Sequence, residues 1–169
     1  MPVKNDFPVV PSKGLRQSGT ESSMAKKTIL LVEDNENDEF LTLRALRRCT
    51  ATNDVKVMRD GVEALDYLFG GEGRAEEELP ELPAVMLLDL KLPRVDGFEV
   101  LRRVRSDHRT RCLPVVILTS SKEDQDIASG YRLGTNSYVQ KPHDYASYLE
   151  AVGQLGLYWL QVNEVPPQS

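Results

Sequence analysis

The sequence lacks the features that would send a chain across a membrane or onto nucleic acid. No apolar run approaches the roughly 20 residues of a bilayer-spanning helix, and the first residues lack the apolar stretch of a secretory signal. A cytoplasmic chain with no membrane partner is expected. There is no basic excess either: 21 Lys and Arg face 26 Asp and Glu, for a net charge of -5. Phosphate-backbone binders carry the opposite balance, so DNA is not an expected partner. Cysteine is scarce, with two residues, Cys49 and Cys112, in unrelated contexts. Neither has metal-ligand spacing around it, and buried free thiols are expected rather than a disulfide. No internal repeat is visible.

Residues 1–25 are rich in Pro, Ser, Gly and Lys and show no lasting apolar period, the profile of a disordered tail. Met24, just before the periodic part, is a candidate alternative start. From Thr28 onward, short apolar runs alternate with amphipathic stretches, which predicts βαβ units around a parallel sheet. The expected strands are Thr28–Glu33, Asp54–Met58, Ala84–Asp89, Val115–Thr119 and Ser137–Gln140. The first, third and fourth are continuous apolar runs, as strands covered on both faces should be. The expected helices are Asp38–Arg48, Val62–Phe69, Gly97–Ser106, Glu123–Leu133 and Tyr145–Leu155. Each gathers apolar residues on one side, such as Phe98, Leu101 and Val104, or Tyr145, Tyr148, Leu149 and Val152. Strict alternation of five strands and five helices describes a doubly wound α/β domain over residues 26–156. Gly70–Pro83 reads GGEGRAEEELPELP and is expected to be an acidic surface loop. Residues 157–169 form a C-terminal extension.

Open parallel sheets bind ligands beyond the carboxyl ends of their strands. Here those ends carry Glu33 and Asp34, then Asp89, then Thr119, and finally Lys141 followed by Pro142. A nucleotide-binding α/β protein would instead place a glycine-rich loop after its first strand; this chain reads VEDNENDE there. Clustered carboxylates repel phosphate unless a hard cation intervenes, and they suit Mg2+. With such an ion bound, Asp89 becomes a nucleophile toward a phosphoryl group. Lys141 would neutralise one phosphoryl oxygen and Thr119 would donate to another. A single strand-end Asp is ordinarily a cap or a turn residue, and a Lys beside a Pro is ordinarily surface; the joint placement carries the functional reading.

The motifs LLVEDN, LLDLKLPRVDGFEVLRRVR, VVILTSS and YVQKP, in this order, resemble the receiver domain of two-component response regulators over about Lys27–Leu155. The resemblance implies a flavodoxin-like strand order, 2-1-3-4-5, an order for which a chemotaxis receiver of the same family is a standard example. It implies Glu33, Asp34, Asp89 and the backbone carbonyl of Lys91 as the Mg2+ site, with Mn2+ able to stand in. It further implies Asp89 as phosphoacceptor, Thr119 as switch hydroxyl, Lys141 as the conserved-type lysine, Tyr138 as switch aromatic, and a cis Lys141–Pro142 peptide. Ser120 stands where a small residue leaves room for the phosphoryl group. Lys91 and Ser121 fall where residues tune phosphoryl lifetime. The chain's own chemistry would be self-catalysed phosphorylation and slow hydrolysis rather than conventional turnover. Phosphatases that use an aspartyl phosphate carry a second Asp two residues after the nucleophile, where this chain has Lys91. The competing binding-module reading is a pseudo-receiver that is never phosphorylated.

Within the family, the long loop before the third strand, the LPRVDG variant and the aromatic extension resemble single-domain regulators that accompany bacterial phytochromes. This implies a phytochrome-type histidine kinase as phosphodonor and a downstream protein as target. Leu157, Tyr158, Trp159 and Leu160 either cap the domain's own core or form a dimer contact. A homodimer would meet through the fourth helix, fifth strand and fifth helix together with the extension.

Overall fold

The computed structural model describes residues 26–49, 53–71 and 78–164; the expected N-terminal tail and the centre of the acidic loop lie outside these. Five strands, β1 (Thr28–Val32), β2 (Asp54–Met58), β3 (Val85–Leu88), β4 (Val115–Thr119) and β5 (Ser137–Gln140), form one parallel sheet in the order β2-β1-β3-β4-β5. The helices are α1 (Glu36–Cys49), α2 (Gly61–Phe69), α3 (Gly97–Ser106), α4 (Asp124–Arg132) and α5 (Tyr145–Leu157). The flavodoxin-like doubly wound architecture is as expected. None of the helices among the described residues is long and apolar enough to cross a membrane.

Side chains alternate across a strand, and the sheet therefore builds two cores. On one face Leu30, Val32, Met86, Leu88 and Ile117 meet Leu65 and Leu68 of α2 and Val100, Leu101 and Val104 of α3. On the other, Ile29, Leu31, Leu87, Val116 and Leu118 meet Ala45 and Leu46 of α1 and Tyr148 and Val152 of α5. With both faces covered, β1, β3 and β4 are buried nearly throughout, while the edge strands β2 and β5 are only partly so.

Three differences from expectation have local causes. α1 begins two residues early because Asn35 Oδ1 accepts the N–H groups of Asn37 and Asp38, at 3.0 and 3.1 Å, and so caps the first turn. α5 runs on into a π-helical turn, Tyr158–Val162, because Trp159 and Leu160 pack into the α1/α5 core and Lys27 Nζ donates to the Leu160 carbonyl at 2.8 Å. Trp159 and Leu160 therefore cap the domain's own core, while Leu157, Tyr158 and Val162 stay exposed. Cys112 is free but exposed, contrary to the expected buried thiol, because it lies in the turn that follows α3 rather than on a packed face. The side chain of Cys49 lies outside those described.

The loop from β3 to α3 is tied down on two sides. Gly97 packs so tightly over the strand end that a Cβ there would lie 2.3 Å from the Asp89 carbonyl oxygen. Arg94 takes a left-handed backbone, φ 63°, which costs a non-glycine residue energy; its guanidinium is anchored on Asp60, which also caps α2 by accepting the Glu63 N–H. The Lys141–Pro142 peptide is trans, not the cis form that the family resemblance led us to expect. The two isomers of an X–Pro bond differ by only about 0.5–1 kcal/mol, so the dipeptide does not decide between them.

Candidate functional site

The carboxyl ends of β1, β3 and β5 converge on Lys141. Parallel pairing of β1 with β3 places Val32 beside Leu88, so Glu33 and Asp89 leave the sheet as neighbours, with the Asp89 N–H bonded to the Val32 carbonyl at 3.0 Å. The Lys141 N–H bonds the Thr119 carbonyl at 2.8 Å, which fixes the start of its side chain at the end of β4. From there Nζ donates to Glu33 Oε2 at 2.6 Å, Asp89 Oδ2 at 2.7 Å and Asp38 Oδ2 at 2.8 Å. All three ammonium protons are used. Glu33, Asp89 and Lys141 are buried, while Asp38 keeps 31% of its side chain in water.

The second oxygens of Asp89 and Glu33 are held by backbone. Asp89 Oδ1 accepts the Lys91 N–H at 3.2 Å and Glu33 Oε1 the Asn35 N–H at 3.1 Å. Burial pushes the Glu33 carboxyl up to about 7, against the downward pull of Lys141. Burial works against the Lys141 charge, but Asp89 and Glu33 overcome it and hold the ammonium protonated well above the ordinary amine range.

Glu33, Asp34 and Asp89 can each present an oxygen within 4.8 Å of the others. An all-oxygen donor set with no nitrogen or sulfur suits a hard divalent ion such as Mg2+ or Mn2+. Asp34 is exposed and opens this cluster to solvent.

Thr119 and Tyr138 do not bond Asp89. They meet at Ser121, whose N–H bonds Thr119 Oγ1 at 3.4 Å and whose carbonyl accepts the Tyr138 hydroxyl at 3.4 Å. The Ser121 hydroxyl donates to Asp126 Oδ2 of α4 at 2.6 Å. Ser120 and the Lys91 side chain are exposed beside the site. A cavity of about 310 Å3 opens next to Lys141, lined by Asp38, Leu41, Ser120, His143 and Tyr148.

A family model described as the response regulator receiver domain matches residues 29–153, which take in all of these strand ends. The chain belongs to the response regulator receiver family. Among curated relatives, Probable methanogenesis regulatory protein FilR2 of Methanothrix harundinacea is 42% identical over 82% of this chain and 86% of its own length. Response regulator Rcp1 of a Synechocystis strain is 32% identical over 87% of this chain and 98% of its own. Among solved structures, the phosphorylated cyanobacterial phytochrome response regulator RcpA superposes with a TM-score of 0.77 at 36% identity, over 85% of this chain and all of that one. The Mn2+-bound form of Rcp1 superposes at 0.75 and 33% identity, over 83% and 99%. The bacteriophytochrome response regulator RtBRR is 52% identical with a TM-score of 0.63, over 85% and 86%.

This receiver places two residues at its centre that sequence reasoning missed. Asp38 is one, visible in the sequence only as one of three first-turn acids of α1, on a helix start that Asn35 positions. Asp126 is the other, visible in the sequence only as a first-turn acid of α4.

Proposed function

We propose that this receiver accepts a phosphoryl group on Asp89 with Mg2+ or Mn2+ bound, from a phytochrome-type histidine kinase, and signals by protein contact. The observation that carries this reading is the convergence of Glu33, Asp38 and Asp89 on Lys141 at one sheet edge. Glu33, Asp34, Asp89 and the carbonyl of Lys91 would hold the ion. When bound, it neutralises phosphoryl oxygens and lowers the barrier to attack. An Asp89 oxygen forms the new bond to phosphorus, the bond from phosphorus to the donor breaks, and the donor leaves with that electron pair: the kinase imidazole, or acetate when acetyl phosphate is used. Lys141 passes its Asp89 contact to a phosphoryl oxygen, and Thr119 donates to another. Asp89 then draws Thr119, the loop after β4 follows, and Tyr138 turns inward, shifting the population toward another partner-binding face. Lys91 and Ser121 set the phosphoryl lifetime.

Support for the phytochrome link comes from RcpA and RtBRR, whose names place them in that class. Residues 26–156 form the receiver in this reading, in the cytoplasm, and residues 157–169 a short extension. The exposed Leu157, Tyr158 and Val162 support a homodimer through α4, β5, α5 and the extension. Light scattering is expected to give twice the 19.0 kDa chain mass; a monomer at tens of micromolar would remove the dimer from the proposal.

Incubation with acetyl phosphate and Mg2+ is expected to add one phosphoryl group by intact mass, and EDTA to abolish the gain. Labelling that survives EDTA would mean that the carboxylates do not work through an ion. No labelling under any condition would leave a receiver fold that binds partners without phosphorylation.

A further inference from the structure

α4 is the least firmly packed helix of the domain: Gly130 is its one buried residue, and its N-cap, Glu123, makes no side-chain capping bond. Few apolar contacts mark an element that opens or shifts at low cost. What ties its first turn to the sheet is polar and runs through Ser121, which is only 6% exposed. The Ser121 hydroxyl donates to Asp126 Oδ2 at 2.6 Å and accepts the Glu123 N–H at 3.4 Å. The same residue gives its N–H to Thr119 and takes the Tyr138 hydroxyl on its carbonyl. One buried serine thus joins α4, the end of β4 and β5.

We propose that Asp126 is a positioning residue that latches the β4–α4 loop through Ser121 in the unphosphorylated arrangement, and that this latch opens when Thr119 is drawn toward Asp89. The proposal rests on the reading of Asp89 as phosphoacceptor. If Thr119 turns toward Asp89, the acceptor of the Ser121 N–H moves with it. The loop must then follow, because Ser121 is too buried for water to pair the N–H it would otherwise strand. Following pulls the Ser121 hydroxyl away from Asp126, whose charge-assisted bond is the shortest in this group and resists the movement. The latch therefore sets the fraction of the chain that is ready for a phosphoryl group, and apparent affinity scales with that fraction.

The test is a beryllofluoride titration of the full chain with Mg2+, followed by amide NMR, on the wild type and on Ser121→Ala, Asp126→Ala, Asp126→Asn and the double alanine variant. Ser121→Ala and Asp126→Ala are each expected to tighten beryllofluoride binding by roughly three- to tenfold. The double variant should bind no more tightly than the tighter single one, because both remove one interaction. Asp126→Asn keeps an acceptor oxygen and should stay within about twofold of the wild type. Amides of α4 in the ligand-free alanine variants should move along the line that joins free and bound wild type, a readout that simple loss of stability would not give. Wild-type binding with unmoved or weakened alanine variants, or with additive effects, overturns the latch alone. A wild type that takes no beryllofluoride overturns the phosphoacceptor reading and the latch with it.

Discussion

Asp89→Asn is expected to abolish phosphoryl uptake from acetyl phosphate while leaving the domain folded. The chemical half is all or none: the amide carries no nucleophilic carboxylate oxygen, and Glu33, the neighbouring buried carboxylate, is held by Lys141 on Oε2 and by the Asn35 N–H on Oε1. The structural half follows from Lys141, which keeps Glu33 and Asp38 as partners, so no buried charge is left alone. The amide oxygen can still accept the Lys91 N–H that Asp89 Oδ1 now takes. Crowding of buried carboxylates also eases, since Asp89 is one of the influences that raise Glu33. The variant should unfold within a few degrees of the wild type. Intact mass after incubation, beside a thermal melt, checks both halves. Labelling that persisted would place the phosphoacceptor elsewhere, and collapse of the fold would show that Asp89 carries structural weight which these contacts do not predict.

How far the sequence spoke depended on whether a feature was local. β2, β4 and β5 lie where their apolar patterns put them, and β1 and β3 differ by one or two end residues, because strand burial writes itself directly into composition. Glu33, Asp34, Asp89, Thr119 and Lys141 were legible as strand-end residues of unusual type, although their meeting depended on strand order, which came from the resemblance. Asp38 and Asp126 were not legible in this way. Each is one acid among others in the first turn of a helix, and only the rotation of that helix against the sheet decides which acid reaches inward. The extension posed the same problem: nothing in Leu157–Leu160 tells that Trp159 and Leu160 turn toward the core while Leu157 and Tyr158 turn away. Ser121 is a mixed case. Its position in the loop was noted, but its hydroxyl is committed to Asp126, a partner that no reading of the loop alone supplies.

Lys141→Met is expected to destabilise the domain strongly, and more at alkaline than at acidic pH. The ammonium is 6% exposed and bonded to three carboxylates; removing one partner of a buried ion pair typically costs about 3–5 kcal/mol, because the other charge is left uncompensated. Asp38 can turn to water, but Glu33 and Asp89 cannot. Glu33 has another way out, which is to take up a proton. Its carboxyl already lies at about 7 in the fold against an ordinary 4.5, so between these values the folded chain binds more protons than the unfolded one, and stability falls as pH rises. The contribution is fully present below the ordinary value and is lost as pH passes the folded one. In the variant, the attraction and hydrogen bond of Lys141, which hold Glu33 down, are gone, so its value climbs further and the window extends upward. Near pH 5.5 most molecules meet the loss by protonating Glu33, whereas near pH 8.5 the charge must be borne or the fold opened. Thermal melts in EDTA should therefore show a drop of roughly 10 °C at the higher pH and a clearly smaller one at the lower. Equal drops at both would mean that Glu33 does not take the proton. No drop at all would mean that the three-carboxylate grip on Lys141 contributes nothing to the fold.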